Sequence, residues 1–268
     1  MPLLHLVILA IIQGITEFLP ISSSGHLILV PIVFGWPDQG LLMDVAVHVG
    51  TLGAVMLYFW RDVAAMAMGL LHLAKGRWNP GAKLALLVIV GTLPVIAAGF
   101  ALNHFFPQGI RSTEVIGWAT LGFGVLLYAA DRLGATRQRL DGMGLVQAVV
   151  IGFSQILALL PGTSRSGITM TAARMLGFDR SDAARFSLLL SMPTILGAGL
   201  LKSKELYETG NAQLTSDAYT AAGLALVSAL VAIWAMMRWL RHATFTPFVV
   251  YRVILGLLLL VFAYGVNG

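Results

Sequence analysis

Long apolar runs alternate with short polar stretches along the 268-residue chain. Six runs approach the roughly 20 residues that an α-helix needs to cross a bilayer, and they cover 42–60, 84–106, 115–131, 186–201, 219–240 and 248–266. Two further apolar regions, 3–37 and 143–178, are interrupted midway by Pro, Gly and Ser. A helix can break at membrane depth only where protein or water lines the break. The pattern therefore predicts an all-α membrane protein with about six transmembrane helices and two re-entrant helical hairpins.

Composition supports a membrane protein. The chain is 58% hydrophobic and only 11% charged, with a mean hydropathy of +0.85, whereas soluble domains carry roughly 25% charged residues. The N-terminal "MPLLHLVILA" lacks the basic segment of a signal peptide and is expected to be retained. The absence of cysteine excludes disulfides, thiol catalysis and Cys-ligated zinc. Basic residues are dispersed at the ends of apolar runs, so the net charge of +5 indicates basic loops and no nucleic-acid partner.

The distribution of charge predicts the orientation in the membrane. Four regions are rich in Arg and Lys and are expected on the cytoplasmic side: Arg61, Lys75, Arg77 and Lys83; Arg132, Arg137 and Arg139; Arg174, Arg180 and Arg185; and Arg238 and Arg241. The stretches 103–114 and 202–217 are poorer in base and are expected outside. With this topology the two hairpins enter from opposite sides. The chain is then one membrane domain, 1–268, built from inverted halves at about 1–131 and 143–268.

The sequence also repeats internally. Without a gap, "QGITEFLPISSSGH" in the first interrupted region aligns with "QILALLPGTSRSGI" in the second. The matched pairs are Gln13 with Gln155, Ser22 with Ser164, Ser24 with Ser166 and Gly25 with Gly167. In inverted-repeat membrane folds, two broken hairpins meet near the midplane and form the binding site.

The first hairpin carries polar side chains in an apolar segment, where they cost free energy unless they have a partner or a function. Glu17 lies in an apolar run, with Gln13 one helical turn before it. It is either a packing residue or, as intramembrane carboxylates usually are, a functional one, here a metal ligand or general base. Ser22, Ser23 and Ser24 could cap a helix or cradle an anion. His26 is a structural residue or a candidate acid, base or nucleophile, and Asp44 and His48 could support the site from a second layer.

The second hairpin supplies the matching cation. Arg165 is interpreted as the only basic residue deep in an apolar segment, with Ser164, Ser166 and Thr169 around it. It either forms a permanent ion pair with Glu17 or binds an anionic ligand together with it. Two helix N-termini, hydroxyls, a guanidinium and a carboxylate predict a site for a phosphate or diphosphate group on a lipid. Because a carboxylate repels phosphate, a bridging divalent cation, Mg²⁺ or Ca²⁺, is expected.

These motifs resemble the signature motifs of a known protein family. "QGITEFLPISSSGH" resembles the [E/Q]xxxE segment and serine–histidine stretch of the undecaprenyl-diphosphate phosphatase (bacitracin-resistance) family, and "PGTSRSGIT" is similar to its PGxSRSxxT signature. The segment "MDVAVHVGTLGAV", the chain length and the motif spacing extend the resemblance over essentially the whole chain. It implies removal of the terminal phosphate of undecaprenyl diphosphate in the bacterial plasma membrane. This reaction recycles the carrier lipid for peptidoglycan synthesis and confers bacitracin resistance.

The resemblance also implies roles for individual residues. Ser23 and His26 would be the nucleophile and base candidates, and Arg165 would bind the diphosphate. Glu17 and Gln13 would fill the [E/Q]xxxE positions, where Gln13 offers an oxygen but no charge. Direct attack by water or by His26 is left open. The substrate-binding set is predicted as Gln13, Ser22, Ser24, Ser164, Ser166 and Thr169, and a homodimer is compatible with the sequence.

Two alternatives use parts of the same pattern. The type-2 phosphatidic acid phosphatases also contain an SGH tripeptide, but they require His and Asp where this chain has Thr171 and Met175. A lipid transporter or flippase would use the same inverted-repeat cleft. A transporter needs no serine–histidine cluster, and phosphate release in detergent would separate it from an enzyme.

Overall fold

The computed structural model describes residues 2–36, 40–105, 112–209 and 212–266, and within these segments the chain forms eleven α-helices and no β-strand. The helices are α1 (Leu3–Thr16), α2 (Ser23–Phe34), α3 (Gly40–Tyr58), α4 (Trp60–Ala74), α5 (Pro80–Phe105), α6 (Thr113–Leu133), α7 (Leu145–Ser154), α8 (Arg165–Met175), α9 (Arg180–Thr209), α10 (Ala212–Leu240) and α11 (Thr246–Val266). Short 3-10 turns cover Leu140–Gly142 and Gln155–Leu159. The all-α prediction is confirmed.

Within the described segments, four helices are long and apolar enough to cross a membrane, which identifies an integral membrane protein. They are α5, α6, α10 and α11, with mean hydropathies of their most apolar stretches between 1.3 and 2.4. Residues Met43–Tyr58 and Trp60–Ala74, in α3 and α4, make a fifth if they are taken as one bent span. The predicted segment 186–201 lies inside α9, whose first turns are charged. The predicted outer stretch 202–217 is helical at both ends, since α9 reaches Thr209 and α10 begins at Ala212.

The stretch that the basic residues mark as a loop after α3 is largely helical. The chain bends by 85° at Phe59 and continues as α4. Two glycines let α4 lie directly on α5. A Cβ atom at Gly69 would stand 2.2 Å from the backbone nitrogen of Ala82, and one at Gly81 would stand 2.0 Å from the carbonyl oxygen of Ala65. The stretch that follows α3 is therefore held by the packing of α4 on α5 and is not a loop.

The two interrupted apolar regions each form a helix, a non-helical turn and a second helix. In the first, α1 ends at Thr16 and α2 begins at Ser23. In the second, α7 continues through a 3-10 turn to Leu159, and α8 begins at Arg165. The first turn contains Pro20, which has no backbone N–H to extend a helix. The second contains Gly162 at a φ of +93°, a backbone conformation open mainly to glycine.

Helices at equivalent places in the two predicted halves of the chain have equivalent packing partners. Helix α1 packs on α10 and α7 packs on α5, while α3 packs on α10 and α9 packs on α5. Glycine permits the first two contacts. A Cβ atom at Gly14 would stand 2.7 Å from the carbonyl oxygen of Ala225, and one at Gly152 would stand 2.4 Å from that of Gly91. Small residues at such crossings let helix backbones approach closely, which is a main source of helix association in membranes.

A buried charge cluster anchors the C-terminal end of α8. The side chain of Arg174 is fully buried, and its Nε donates to Asp131 Oδ1 over 3.2 Å. Arg180 Nε donates to the same oxygen over 2.7 Å, and the backbone N–H of Phe245 donates to Asp131 Oδ2 over 3.1 Å. One carboxylate at the end of α6 therefore joins α8, α9 and the segment before α11.

Candidate active site

The turns of the two hairpins meet, and they bring the predicted carboxylate and guanidinium together. Glu17 caps the C-terminal end of α1, and Arg165 is the first residue of α8. Arg165 Nη2 lies 3.0 Å from Glu17 Oε1, and their side chains are only 14% and 6% exposed. The two residues are 148 positions apart in the sequence. The predicted pairing of Glu17 with Arg165 is thus present in the structure.

The other oxygen of Glu17 collects further donors. Gln13 Nε2 donates to Glu17 Oε2 over 2.9 Å, as the one-turn spacing predicts. Ser23 Oγ donates to the same oxygen over 2.7 Å. His48 Nε2 lies 3.5 Å away, and its Nδ1 lies 2.6 Å from the carbonyl oxygen of Asp44. A carboxylate that accepts a short hydrogen bond from a serine hydroxyl is in place to remove its proton.

Two serines at equivalent places hold the turns in a rare backbone conformation. Ser22 has a φ of +73° and Ser164 a φ of +68°, a region that side chains other than glycine seldom adopt. Ser22 Oγ accepts the backbone N–H of Gly25 over 3.4 Å, and Ser164 Oγ accepts that of Gly167 over 3.1 Å. The N-termini of α2 and α8 are thereby capped in the same way. Strained backbone of this kind concentrates at functional sites.

The remaining hydroxyls of the predicted substrate-binding set bond within the protein. Ser166 Oγ donates to the carbonyl oxygen of Leu19 over 3.0 Å and so ties the two hairpins together. Thr169 Oγ1 donates to the carbonyl oxygen of Arg165 over 2.8 Å and lies 2.7 Å from Ser187 Oγ. Both side chains are buried. These contacts shape the site, and direct binding of substrate by these hydroxyls stays a prediction. The Ser24 side chain lies outside the described part of the chain.

His26 is turned toward α11. Its Nδ1 lies 2.7 Å from the carbonyl oxygen of Ser22, and its Nε2 lies 2.5 Å from the hydroxyl of Tyr251. A carbonyl oxygen can only accept, so Nδ1 carries the proton, and in the neutral imidazole Nε2 accepts the tyrosine O–H. The single lone pair of this imidazole is therefore occupied by Tyr251. Of the two predicted bases for Ser23, Glu17 is the one that contacts it.

Arg252 is a residue of the site that the sequence analysis missed. It is fully buried on α11. Its Nε donates to the carbonyl oxygen of Thr120 and Nη2 to that of Gly162, both over 3.0 Å, while Nη1 lies 3.4 Å from that of Pro20. It thus links the turns of both hairpins. The interpretation of Arg165 as the only deep basic residue is wrong, since Arg252 also lies in an apolar helix and is fully buried. Arg252 stands inside the predicted span 248–266, so the signal was present.

Two buried polar atoms at the centre of the site lack a hydrogen-bond partner within the described residues. They are Arg165 Nη1, a donor, and Gln13 Oε1, an acceptor. Buried polar groups nearly always have a partner, so each of these atoms is available to bond to a water or a ligand. The donor suits an anionic oxygen, and the acceptor suits a cation. In the described part of the chain no three His, Cys, Asp or Glu side chains are grouped to hold a metal by themselves.

Comparison with known proteins gives a consistent result. The sequence model of the family described as "Bacitracin resistance protein BacA" matches residues 6–258. The protein named "Undecaprenyl-diphosphatase" of Roseobacter denitrificans is 53% identical over 267 residues, which cover 99% of this chain and all of that protein. "Undecaprenyl-diphosphatase 1" of Rhodospirillum rubrum is 53% identical over 271 residues, covering 98% and 96% of the two chains. The "Undecaprenyl-diphosphatase" of Jannaschia sp. is 54% identical over 267 residues.

Proposed function

The chain belongs to the bacitracin resistance protein BacA family, and we propose on that basis that it hydrolyses undecaprenyl diphosphate to undecaprenyl phosphate and inorganic phosphate. The observation that carries the proposal is the identity of 53% and 54% with two diphosphatases over the full length of those proteins. The reaction returns the carrier lipid to peptidoglycan synthesis in the bacterial plasma membrane and confers resistance to bacitracin. Relatives named as diphosphatases give no support to the transporter alternative.

Arg165 and the two capped helix N-termini would bind the diphosphate. Arg165 Nη1 is a buried donor without a partner among the described residues, so a phosphate oxygen placed there would satisfy it. Helices α2 and α8 begin at the two turns that meet in the site, and a helix N-terminus offers free backbone N–H groups and the positive end of the helix dipole. Arg165 would keep one contact with Glu17 while it holds the substrate, as a guanidinium with five donors can.

Ser23 is the proposed nucleophile and Glu17 its base. The Ser23 hydroxyl already donates to Glu17 over 2.7 Å. As Ser23 Oγ bonds to the terminal phosphorus, its proton passes to Glu17 and the bond from that phosphorus to the bridging oxygen breaks. Undecaprenyl phosphate leaves, and water then cleaves the phosphoserine to release inorganic phosphate. Arg165 stabilises the negative charge on the transferred group.

A divalent cation, Mg²⁺ or Ca²⁺, fits the donors at the site. Gln13 Oε1 is a buried oxygen without a partner in the described segments, and Nε2 of the same amide donates to the Glu17 carboxylate. One carboxylate and one amide oxygen leave most positions of the coordination shell to substrate phosphates and water, which is how Mg²⁺ is commonly held. When bound, such a cation would neutralise phosphate charge next to Glu17.

The predicted architecture belongs to the same proposal: six spans, two opposed re-entrant hairpins and inverted halves at about 1–131 and 143–268. Three observations support it. Helix α1 packs on α10 as α7 packs on α5. Ser22 and Ser164, which are matched in the internal repeat, share a positive φ and the same cap. Arg252 binds the carbonyl oxygens of Pro20 and Gly162, which the same gap-free alignment places opposite each other.

The function is tested by phosphate release from undecaprenyl diphosphate and shorter prenyl diphosphates in detergent, with and without a chelator. We expect release by the wild-type protein, and its absence would overturn the proposed function. Ser23→Ala should abolish release, and Ser228→Ala is the matched control because that hydroxyl on α10 donates to the backbone carbonyls of Ala10, Leu224 and Ala225 and not to Glu17. Turnover retained in Ser23→Ala would assign the attack to water or to His26 instead. Cross-linking in the same detergent tests the homodimer.

A further inference from the structure

Tyr251 contacts the site from α11 and has no role in the proposed chemistry. Its ring stacks on that of His26, with centroids 5.6 Å apart and planes inclined by 10°. Its hydroxyl lies 2.5 Å from His26 Nε2. The side chain is 42% exposed, so it is not held there by complete burial. The hydrogen bond between this half-exposed tyrosine and a histidine of the site is therefore not a by-product of burial and needs an explanation.

The contact continues through the imidazole to the backbone. Tyr251 donates its O–H to Nε2 of His26, and Nδ1–H of His26 donates to the carbonyl oxygen of Ser22 over 2.7 Å. Because one ring nitrogen must be protonated and the other must not, each of these bonds fixes the tautomer that the other requires. Tyr251, His26 and Ser22 therefore form a directional chain of two short hydrogen bonds.

The end of this chain is the peptide bond that carries the nucleophile. The carbonyl group of Ser22 is joined directly to the nitrogen of Ser23, whose hydroxyl must keep its 2.7 Å contact with Glu17. Ser22 stands at a φ of +73°, a conformation that persists only where the surroundings enforce it. The hydrogen bond from His26 is one such restraint, and it loses its orientation if the ring can rotate.

We infer that Tyr251 is a positioning residue that acts through His26 to orient the Ser22–Ser23 peptide and so aims the Ser23 hydroxyl at the substrate. The inference rests on the proposed function, since it assigns Tyr251 to the reaction that Ser23 begins. It also gives His26 a defined task. His26 transmits the position of α11 to the first turn of α2, while Glu17 takes the proton from Ser23.

The kinetic test is Tyr251→Phe, which keeps the ring and removes only the hydroxyl. We expect kcat for prenyl diphosphate hydrolysis to fall about tenfold, with KM within twofold of wild type and an unchanged thermal unfolding temperature. Tyr264→Phe is the matched control, since Tyr264 is a half-exposed tyrosine of the same helix whose hydroxyl bonds to Trp118. In a His26→Gln background, Tyr251→Phe should cause no further loss, because its effect passes through the imidazole.

A spectroscopic test does not depend on turnover. In protein labelled with ¹⁵N-histidine, His26, assigned by loss of its signals in His26→Gln, should show the Nδ1–H tautomer, and its Nε2 resonance should move in Tyr251→Phe. An Nε2–H tautomer in the wild type would overturn the inference even if the variant failed to fold. Wild-type kcat in Tyr251→Phe, or full additivity with His26→Gln, would also overturn it. A wild-type protein without hydrolytic activity would refute the proposed function. The tautomer of His26 would still test the hydrogen-bond chain from Tyr251 to Ser22 independently.

Discussion

Replacement of Arg165 separates a structural ion pair from a substrate contact. In Arg165→Ala, Glu17 loses one charge-assisted hydrogen bond of 3.0 Å, which is worth about 1.5–3 kcal/mol of stability. The carboxylate keeps Gln13 and Ser23 as donors, at 2.9 and 2.7 Å. The loss should therefore stay below the roughly 3–5 kcal/mol of a buried charge that is left without a partner. We expect a folded protein with a modestly lower unfolding temperature.

The effect of Arg165→Ala on catalysis should be much larger. Removal of one partner from a buried charge contact with a ligand costs about 2–5 kcal/mol, so kcat/KM should fall roughly 30- to 5,000-fold. Arg165→Lys should also lose at least about tenfold, because lysine keeps the charge but lacks the planar fork that binds two phosphate oxygens. The assay is phosphate release in detergent beside thermal unfolding of the same preparations.

Two results would refute the substrate role of Arg165. One is Arg165→Lys with wild-type kcat/KM, which would mean that only a nearby charge is needed. The other is an Arg165→Ala protein that is strongly destabilised and recovers when Glu17→Ala is added. That recovery would identify a purely internal ion pair, since removing the orphaned carboxylate would then remove the entire cost. The double variant should instead fold and remain inactive.

Three further predictions concern the cation, the topology and the buried cluster. Glu17→Gln should fold but lose nearly all phosphate release, whereas Gln13→Glu should stay active and chelator-sensitive; an active Glu17→Gln that is still inhibited by chelator would exclude the ligand role. Single cysteines at Arg77 and Ser216, in this cysteine-free chain, should react with an impermeant maleimide from opposite sides of the membrane, and reaction from one side would refute the inverted arrangement. Asp131→Asn should destabilise the protein by about 3–5 kcal/mol in thermal or denaturant unfolding, because Arg174 is left buried without its carboxylate; wild-type stability would show that the carbonyl contacts suffice.

The sequence was sufficient for the features that depend on local chemistry. Pro20 and Gly162 marked the helix breaks, and an isolated carboxylate and guanidinium in apolar segments indicated that Glu17 and Arg165 would meet. These predictions rest on the free-energy cost of leaving polar groups unsatisfied at membrane depth. Polar residues inside apolar runs can be recognised in a single sequence. Arg252 meets the same criterion, since it stands inside the apolar run 248–266, but it lies outside the two repeated motifs.

Other features depend on packing that the sequence does not encode locally. Tyr251 contacts His26 across 225 residues, and nothing in an apolar helix distinguishes a tyrosine that faces the site from one that faces lipid. The hydroxyls of Ser166 and Thr169 could equally have faced a ligand, and the structure shows them bonded to backbone and to Ser187. The close packing of α4 on α5 depends on glycine contacts, which a charge pattern does not predict.

The way in which Arg252 joins the two turns has a consequence for how such a protein can evolve. It contacts them through carbonyl oxygens, which every amino acid possesses, and not through their side chains. Side chains elsewhere in the two turns can therefore change without removing the atoms that Arg252 binds. Glu17 in one turn and Arg165 in the other supply opposite charges, while the joint that Arg252 makes uses neither side chain. The side chains that the proposed reaction uses are therefore separate from the bonds that hold the two turns together, and substitutions can alter the first without breaking the second.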